Sequence, residues 1–221
     1  MTALWSSFVE LLQVGIFTLT QFYGGHLGPA IVTFALLARL ALLPLTTKIA
    51  LRSRAHARRL KGIQPALQRV REKWKDDPGR MVQETMAAYE REGIRPMDPA
   101  LLKGTLIQTP LFMGLFQSIR AVVTAGAARQ PFLWIGSLAK PDLLLAFLVS
   151  GLVGVGVMAN ASGPPTTLRF LLLVSCLGTF LMLLRFSAGF GLYMGASAAV
   201  SALQGLVVRR RERIAVAGEV P

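Results

Sequence analysis

The residue best placed to do chemistry in this sequence is Arg39, a guanidinium set in the apolar run GPAIVTFALLARLALLPLTT. It precedes Lys48 by nine positions, and about 1.5 Å per helical residue puts it roughly 12–14 Å below the basic end of that run. An arginine that deep in a bilayer is unfavourable by about 2.5–3.5 kcal/mol on insertion scales, so it faces protein or water rather than lipid. No Asp or Glu lies inside the later apolar runs, and Asp142 stands at the edge of one. Glu10 reaches Arg39 only if the first segment crosses the membrane. An arginine with no carboxylate of its own can attract one from another molecule.

Polar side chains in other apolar runs point the same way. Ser197, Ser201 and Gln204 fall at i, i+4 and i+7, one helical face. Thr105, Gln108 and Thr109 share a face in an earlier run. Such residues also hydrogen-bond between helices in ordinary membrane packing. The two glutamines lie at a depth compatible with a cavity shared with Arg39, polar, open to one side of the membrane and closed to the other. Other chemistry is poorly served. His26 and His56 have no ligand spacing, and Cys176 is the only cysteine, set in an apolar run. The chain has no phosphate-binding glycine loop and no nucleophile elbow. Gly151, Gly154 and Gly156 read as close helix packing. No metal, no cofactor and no enzymatic active site are expected.

The elements that must position these residues are helices in a bilayer. The chain has 221 residues, 53% of them hydrophobic and only 16% charged, with mean hydropathy +0.52. A soluble domain would carry about a quarter charged residues, whereas runs of about 20 apolar residues cross a membrane. Hydropathy places spans at 26–50, 100–120, 143–161, 168–185 and 188–208, with an outer loop over 121–142. Pro44 is tolerable near the end of the first span if Thr46 and Thr47 satisfy the freed carbonyl. Residues 1–25 alternate Phe8, Leu11, Leu12, Ile16 and Leu19 with Ser6, Glu10, Gln13 and Gln21. That pattern suits an interfacial helix anchored by Trp5, Phe22 and Tyr23 and ended by Gly24 and Gly25. A true span is the alternative.

Over 51–99 the character changes. Leu60, Ile63, Leu67, Val70 and Trp74 recur every three or four residues on a basic helix. Asp77 is an expected N-cap with Pro78 at the first helical position, opening a second helix with Val82, Met86 and Tyr89 on one face and Gly93 at its end. Two facing apolar seams predict a helical hairpin outside the membrane. Pro96 and Pro99 mark the return, and Pro164 and Pro165 a later turn. The fold class is therefore an all-α polytopic membrane protein: five transmembrane helices, an N-terminal interfacial helix and a cytoplasmic hairpin.

The net charge of +13 admits nucleic acid as a partner, but its distribution favours a membrane. Ten of the 24 basic residues lie between 48 and 75, and Arg209, Arg210, Arg211 and Arg213 stand in the tail over 209–221. Five spans put both blocks on one side, so the positive-inside rule sets the N-terminus outside and the hairpin and tail in the cytoplasm. Arg120, Arg129, Lys140 and Arg185 remain outside as a minority. The basic blocks attract anionic lipids, and ribosomal RNA is a further candidate. Glu10 and the lack of a basic stretch over residues 1–23 argue against a cleaved signal, and no early cysteine offers a lipidation site.

Five segments resemble, in order, the YidC/Oxa/Alb insertases. They are the Arg39 run, the hairpin sequence KWKDDPGRMVQETMAAYEREGIRPMDP, the span LLKGTLIQTPLFMGLFQSIR, the loop PFLWIGSLAKPD and the run SAGFGLYMGASAAVSALQ. The resemblance covers about residues 24–210 and is closest to a short bacterial form, without the large outer domain of some members and with a tail too short for a dedicated ribosome-binding extension. It implies a monomer-capable insertase of the bacterial plasma membrane with a positive groove in the inner leaflet. The groove arginine corresponds to Arg39 and the span-two glutamine to Gln108. A client's hydrophilic segment would enter the groove while its apolar helix slides out along spans three and five. Where the family often has an aromatic after the span-five tyrosine, Tyr193 is followed by Met194. Expected partners are nascent membrane-protein clients, anionic lipids and, as candidates, the ribosome and a translocon; DNA is not expected. The rival readings are a small anion transporter, for which no inverted repeat is visible, and a non-catalytic assembly factor, for which Arg39 would be dispensable.

Overall fold

The computed structural model describes residues 2–95, 99–124, 131–160 and 165–218. Among these the chain is helical: α1 (Thr2–Phe22), α2 (Leu27–Lys73), α3 (Pro78–Arg91), α4 (Pro99–Thr124), α5 (Leu143–Asn160), α6 (Pro165–Leu183) and α7 (Ala188–Gly218). α2, α5 and the stretch Ala188–Arg210 of α7 are long and apolar enough to cross a membrane, and Thr167–Leu183 is a shorter apolar helix. Pro96, Arg129 and Pro164, named above for loops and turns, lie outside the described residues. The contacts divide the chain into two units, one of residues 1–44 and 108–221 and one of residues 45–107. The first division falls at Pro44, where proline removes a backbone donor from α2.

The larger unit is held by an apolar core drawn from α1, α2, α4, α5, α7 and the loop before α5, with Ile16, Leu27, Ile31, Leu115, Ile119, Ile135, Leu138 and Phe190 nearly or fully enclosed. On α1, Val9, Leu12, Ile16 and Thr20 are buried at helical spacing, and the remaining surface mixes exposed apolar Leu4, Leu11, Val14, Phe17 and Phe22 with exposed Ser6, Glu10 and Gln21. Residues 5 to 12 of α1 meet α4 within the single turn 114–118. Trp5 Nε1 donates to Gln117 Oε1 at 3.3 Å and Ser118 Oγ to the Val9 carbonyl at 3.2 Å, while Phe8 and Leu12 close over Gly114. Gly15 and Tyr23, about 12 Å apart along a helical path, both reach α2 near Phe34 and Thr33. A helix that uses so much of its length on so little of its neighbours crosses them rather than running beside them. Gly24 and Gly25, at φ 62° and 90°, take the left-handed turn that ends it.

α5 and α7 lie side by side and parallel. Gly191 faces Leu145, Gly195 faces Val149, and Gly205 faces Ala159 and Asn160, the positions rising together along both helices. Glycines at the seam let two backbones approach closely, the usual basis of helix association in lipid. Of the three glycines expected to pack on α5, Gly154 does, against Cys176 of α6; a side chain at Gly151 or Gly156 would meet open space. Those two positions carry no close packing, because the α5 seams run through other turns. The loop before α5 is pinned at both ends. Phe132 and Ile135 exchange two backbone bonds of 2.9 Å, Phe132 lies against Gly28, and Ala188 and Gly189 donate to the carbonyls of Lys140 and Leu138. Asp142 caps α5, accepting from Leu145 N at 2.7 Å.

In the smaller unit Asp77 is the N-cap of α3, accepting from Arg80 N at 3.0 Å, with Pro78 first in the helix, as the sequence predicts. Lys73 and Arg80 flank the Trp74 ring, each 5.2 Å from its centre. Ile63 and Leu67 of the predicted seam are buried. The α3 seam is only partly the one expected: Tyr89 is half-covered, but Val82 and Met86 are 56% and 49% exposed, and Met81, Thr85 and Ala88 are more covered than either.

Candidate functional site

Three helices of the larger unit carry core-facing stripes that change from apolar to polar. On α2, Leu27, Ile31 and Ala35 are buried one turn apart, and the next position on that face is Arg39. On α4 the stripe Ile119, Leu115 and Phe112 leads to Gln108. On α7, Phe190 and Tyr193 lead to Ser197, and Ser201 and Gln204 follow. The change falls at one level on α2 and α4, since Arg39 Nη1 donates to Gln108 Oε1 at 3.4 Å. That is a long, weak hydrogen bond. Tyr193, itself buried, lies within electrostatic range of Arg39 and beside Ser197. Arg39 is half-buried, and its Nε is enclosed with no hydrogen-bond partner among the described residues. No carboxylate among them forms an ion pair with it.

On the side toward the N-terminal end of α7 this polar level is closed by rings. Phe112, Phe116, Phe186 and Phe190 stack edge to face or tilted with centres 5.2–5.4 Å apart, and Tyr193 joins Phe190 at 6.0 Å. The arrangement is a guanidinium with unmet donor capacity on a polar ledge, backed by an apolar wall. It can bind a carboxylate or a polar backbone; it has no nucleophile paired with a base.

Of the residues singled out from the sequence, Arg39 and Gln108 are in contact, and Ser197 lies near Tyr193 with its buried Oγ left without a hydrogen-bond partner among the described residues. Ser201 donates instead to the Ser197 carbonyl of its own helix at 3.0 Å, and its own carbonyl accepts from Asn160 of α5 at 3.5 Å. Gln204 is half-buried and engages a partner. The side chain of Thr105 lies outside the described residues, and Thr109 is exposed rather than facing the ledge. Tyr193 is the residue the sequence reading passed over as a site member. Its signal was present: it precedes Ser197 by one turn, and a buried tyrosine hydroxyl normally needs a polar neighbour.

A sequence model of the family described as 60Kd inner membrane protein matches residues 18–215. The chain belongs to that family. The match takes in α2 to α6, most of α7 and every residue of the ledge. Among curated relatives, the membrane protein insertase YidC of Clostridium tetani is 34% identical over 140 residues, covering 63% of this chain and 60% of that protein. The insertase YidC of Zymomonas mobilis is 37% identical over 130 residues, 58% of this chain and 21% of that one. That of Chlorobium limicola is 27% identical over 203 residues, 84% of this chain and 33% of that one. The chain thus spans between a fifth and three fifths of these relatives' length. A solved structure titled as an active YidC insertase with its first transmembrane domain resolved superposes with TM-score 0.61 at 23% identity, over 90% of this chain and 45% of that one. At that identity the likeness carries the helical architecture. With its apolar helices, this member is a multi-pass membrane protein.

Proposed function

We propose that the chain is an insertase, moving transmembrane segments of client proteins from the cytoplasm into the lipid bilayer through a polar inner-leaflet groove centred on Arg39. The observation that carries the reading is a half-buried guanidinium with an unpartnered Nε and no carboxylate of its own among the described residues. The names of the curated relatives support it. A client's hydrophilic outer segment has lost its water on entering; Arg39 supplies a positive charge for its acidic groups, and Gln108, Tyr193 and Ser197 supply hydrogen-bond partners. The apolar helix of the client then leaves along α5 and α7 into lipid. In this disposition five helices span a bacterial plasma membrane, the smaller unit and the tail of α7 are cytoplasmic, and α1 lies in the outer interface. The one buried face of α1, beside an exposed surface that mixes apolar and polar side chains, supports that placement, since an interfacial helix meets protein, lipid and water. Clients, anionic lipids, the ribosome and a translocon are the partners this reading calls for, with a monomer as the working form.

Complementation of an insertase-depleted bacterium tests it, scored on a single-span client with an acidic outer tail. Wild type and Arg39→Lys should restore insertion, while Arg39→Ala at equal expression should lower it at least about ten-fold, in line with the cost of an unpaired acid in a membrane. Full rescue by Arg39→Ala would remove the charged-groove mechanism. Failure of well-expressed wild type on several clients would remove the insertase reading itself.

A further inference from the structure

The ledge leaves two arginines unexplained. Arg120 near the C-terminal end of α4 and Arg185 in the α6–α7 turn stand against the general charge bias of the chain, whose basic residues concentrate between 48 and 75 and at 209–213. They are far apart in sequence, yet both line one cavity of about 390 Å³ at the α7 N-terminal end of the larger unit. Ser187 also lines it, and Phe116, Phe186 and Phe190 form its apolar side. Those three rings pack against one another with centres 5.2–5.4 Å apart. Its described lining includes two guanidinium groups, of which Arg120 also engages another partner, and no carboxylate. The first amides of α7 are already bonded to the carbonyls of Lys140 and Leu138, so recognition there falls to side chains.

Two guanidinium forks and a hydroxyl above an aromatic wall suit an anion with several acceptor oxygens attached to an apolar body. The volume accommodates a small head group. We propose that this cavity binds a phosphate group, carried either by an outer-leaflet phospholipid or by free inorganic phosphate. The inference rests on the membrane disposition proposed above, which sets these helix ends at the outer head-group level, but not on the groove. Bound lipid would tie the α4 end to the α6–α7 turn directly behind the aromatic wall that closes the ledge.

The test uses the purified full chain, stripped of lipid in detergent, with dioleoylphosphatidylglycerol and inorganic phosphate as separate probes. Retention is read by native mass spectrometry and the thermal midpoint is followed in parallel. The double variant R120Q/R185Q should retain phosphatidylglycerol at least about ten-fold less than wild type. R120K/R185K should keep most of it, and R209Q/R210Q, which removes the same charge elsewhere, should retain it as wild type does. Phosphate that raises the midpoint of wild type but not of R120Q/R185Q identifies the solute as the ligand; a response to lipid alone identifies the phospholipid. Equal loss in R120Q/R185Q and R209Q/R210Q, or no loss in R120Q/R185Q, overturns the site. Client insertion measured on the same variants separates the two readings, since an inactive wild type with arginine-dependent lipid retention would remove the insertase function and leave this site standing.

Discussion

Arg39 continues the stripe of Leu27, Ile31 and Ala35, so the helix face that builds the core also delivers the charge. Its strongest described partner is the neutral Gln108. That neutrality is a testable part of the mechanism. Gln108→Glu keeps the shape but gives Arg39 a permanent counter-ion, and insertion of acidic-tailed clients should fall as far as in Arg39→Ala, with the protein still folded by circular dichroism. Gln108→Leu should fall only a few-fold, since it removes one weak bond of about 1 kcal/mol. Insertion by Gln108→Glu at the wild-type level would show that client carboxylates do not engage Arg39. A charge or an amide inside an apolar run stands out in a sequence, which is why these two residues were legible. Tyr193 was not, because its ring fits the surrounding apolar pattern and only its packing beside Arg39 and Ser197 reveals the hydroxyl's place. Ser201 has the spacing of the ledge face, but its hydroxyl donates to its own helix, which spacing alone does not reveal.

The elements follow from hydropathy and from a few caps. The N-cap at Asp77 and the turns at Gly24 and Gly93 were readable, since each rests on local chemistry. Which face meets which neighbour was less readable, as Val82, Met86, Gly151 and Gly156 show. Glycine in an apolar run signals close approach only if another helix is there. This difference gives a prediction for the α5–α7 pair. A methyl group at Gly205 would come within 2.9 Å of the Ala159 Cβ and 2.7 Å of the Asn160 side chain, so Gly205→Ala should destabilise by about 1–3 kcal/mol. Gly151→Ala, facing open space, should be neutral or stabilising by up to about 1 kcal/mol. Denaturant titration in detergent micelles compares the two, and equal effects would mean that the α5–α7 seam is not as described.

For the whole molecule, the sequence conveyed the order of the helices, the basic blocks and the family resemblance, and the family assignment agrees. The crossing of α1 over α2 and α4 was beyond it, because amphipathic spacing alone does not distinguish a helix on a membrane from one within it. Cysteine labelling decides this in a Cys176→Ala background. A membrane-impermeant maleimide added from outside should label Glu10→Cys and leave Leu11→Cys, placed toward lipid in the proposed disposition, unlabelled. Protection of both would make α1 a span. In the same cells Ser137→Cys should label from outside and Ser53→Cys only after permeabilisation.

The parallel seam between α5 and α7 has a consequence for how the molecule is made. An antiparallel neighbour can dock after a short turn, but a parallel one must wait until α6 has run back along α5. Leu145, Val149 and Ala159 therefore remain without their glycine partners while α6 is synthesised. Arg39 and Gln108 are already in place by then, whereas Tyr193 and Ser197 arrive with α7. The ledge is completed only when α7 docks, so the nascent chain passes through a stage in which its half-buried arginine is present and its polar neighbours from α7 are not.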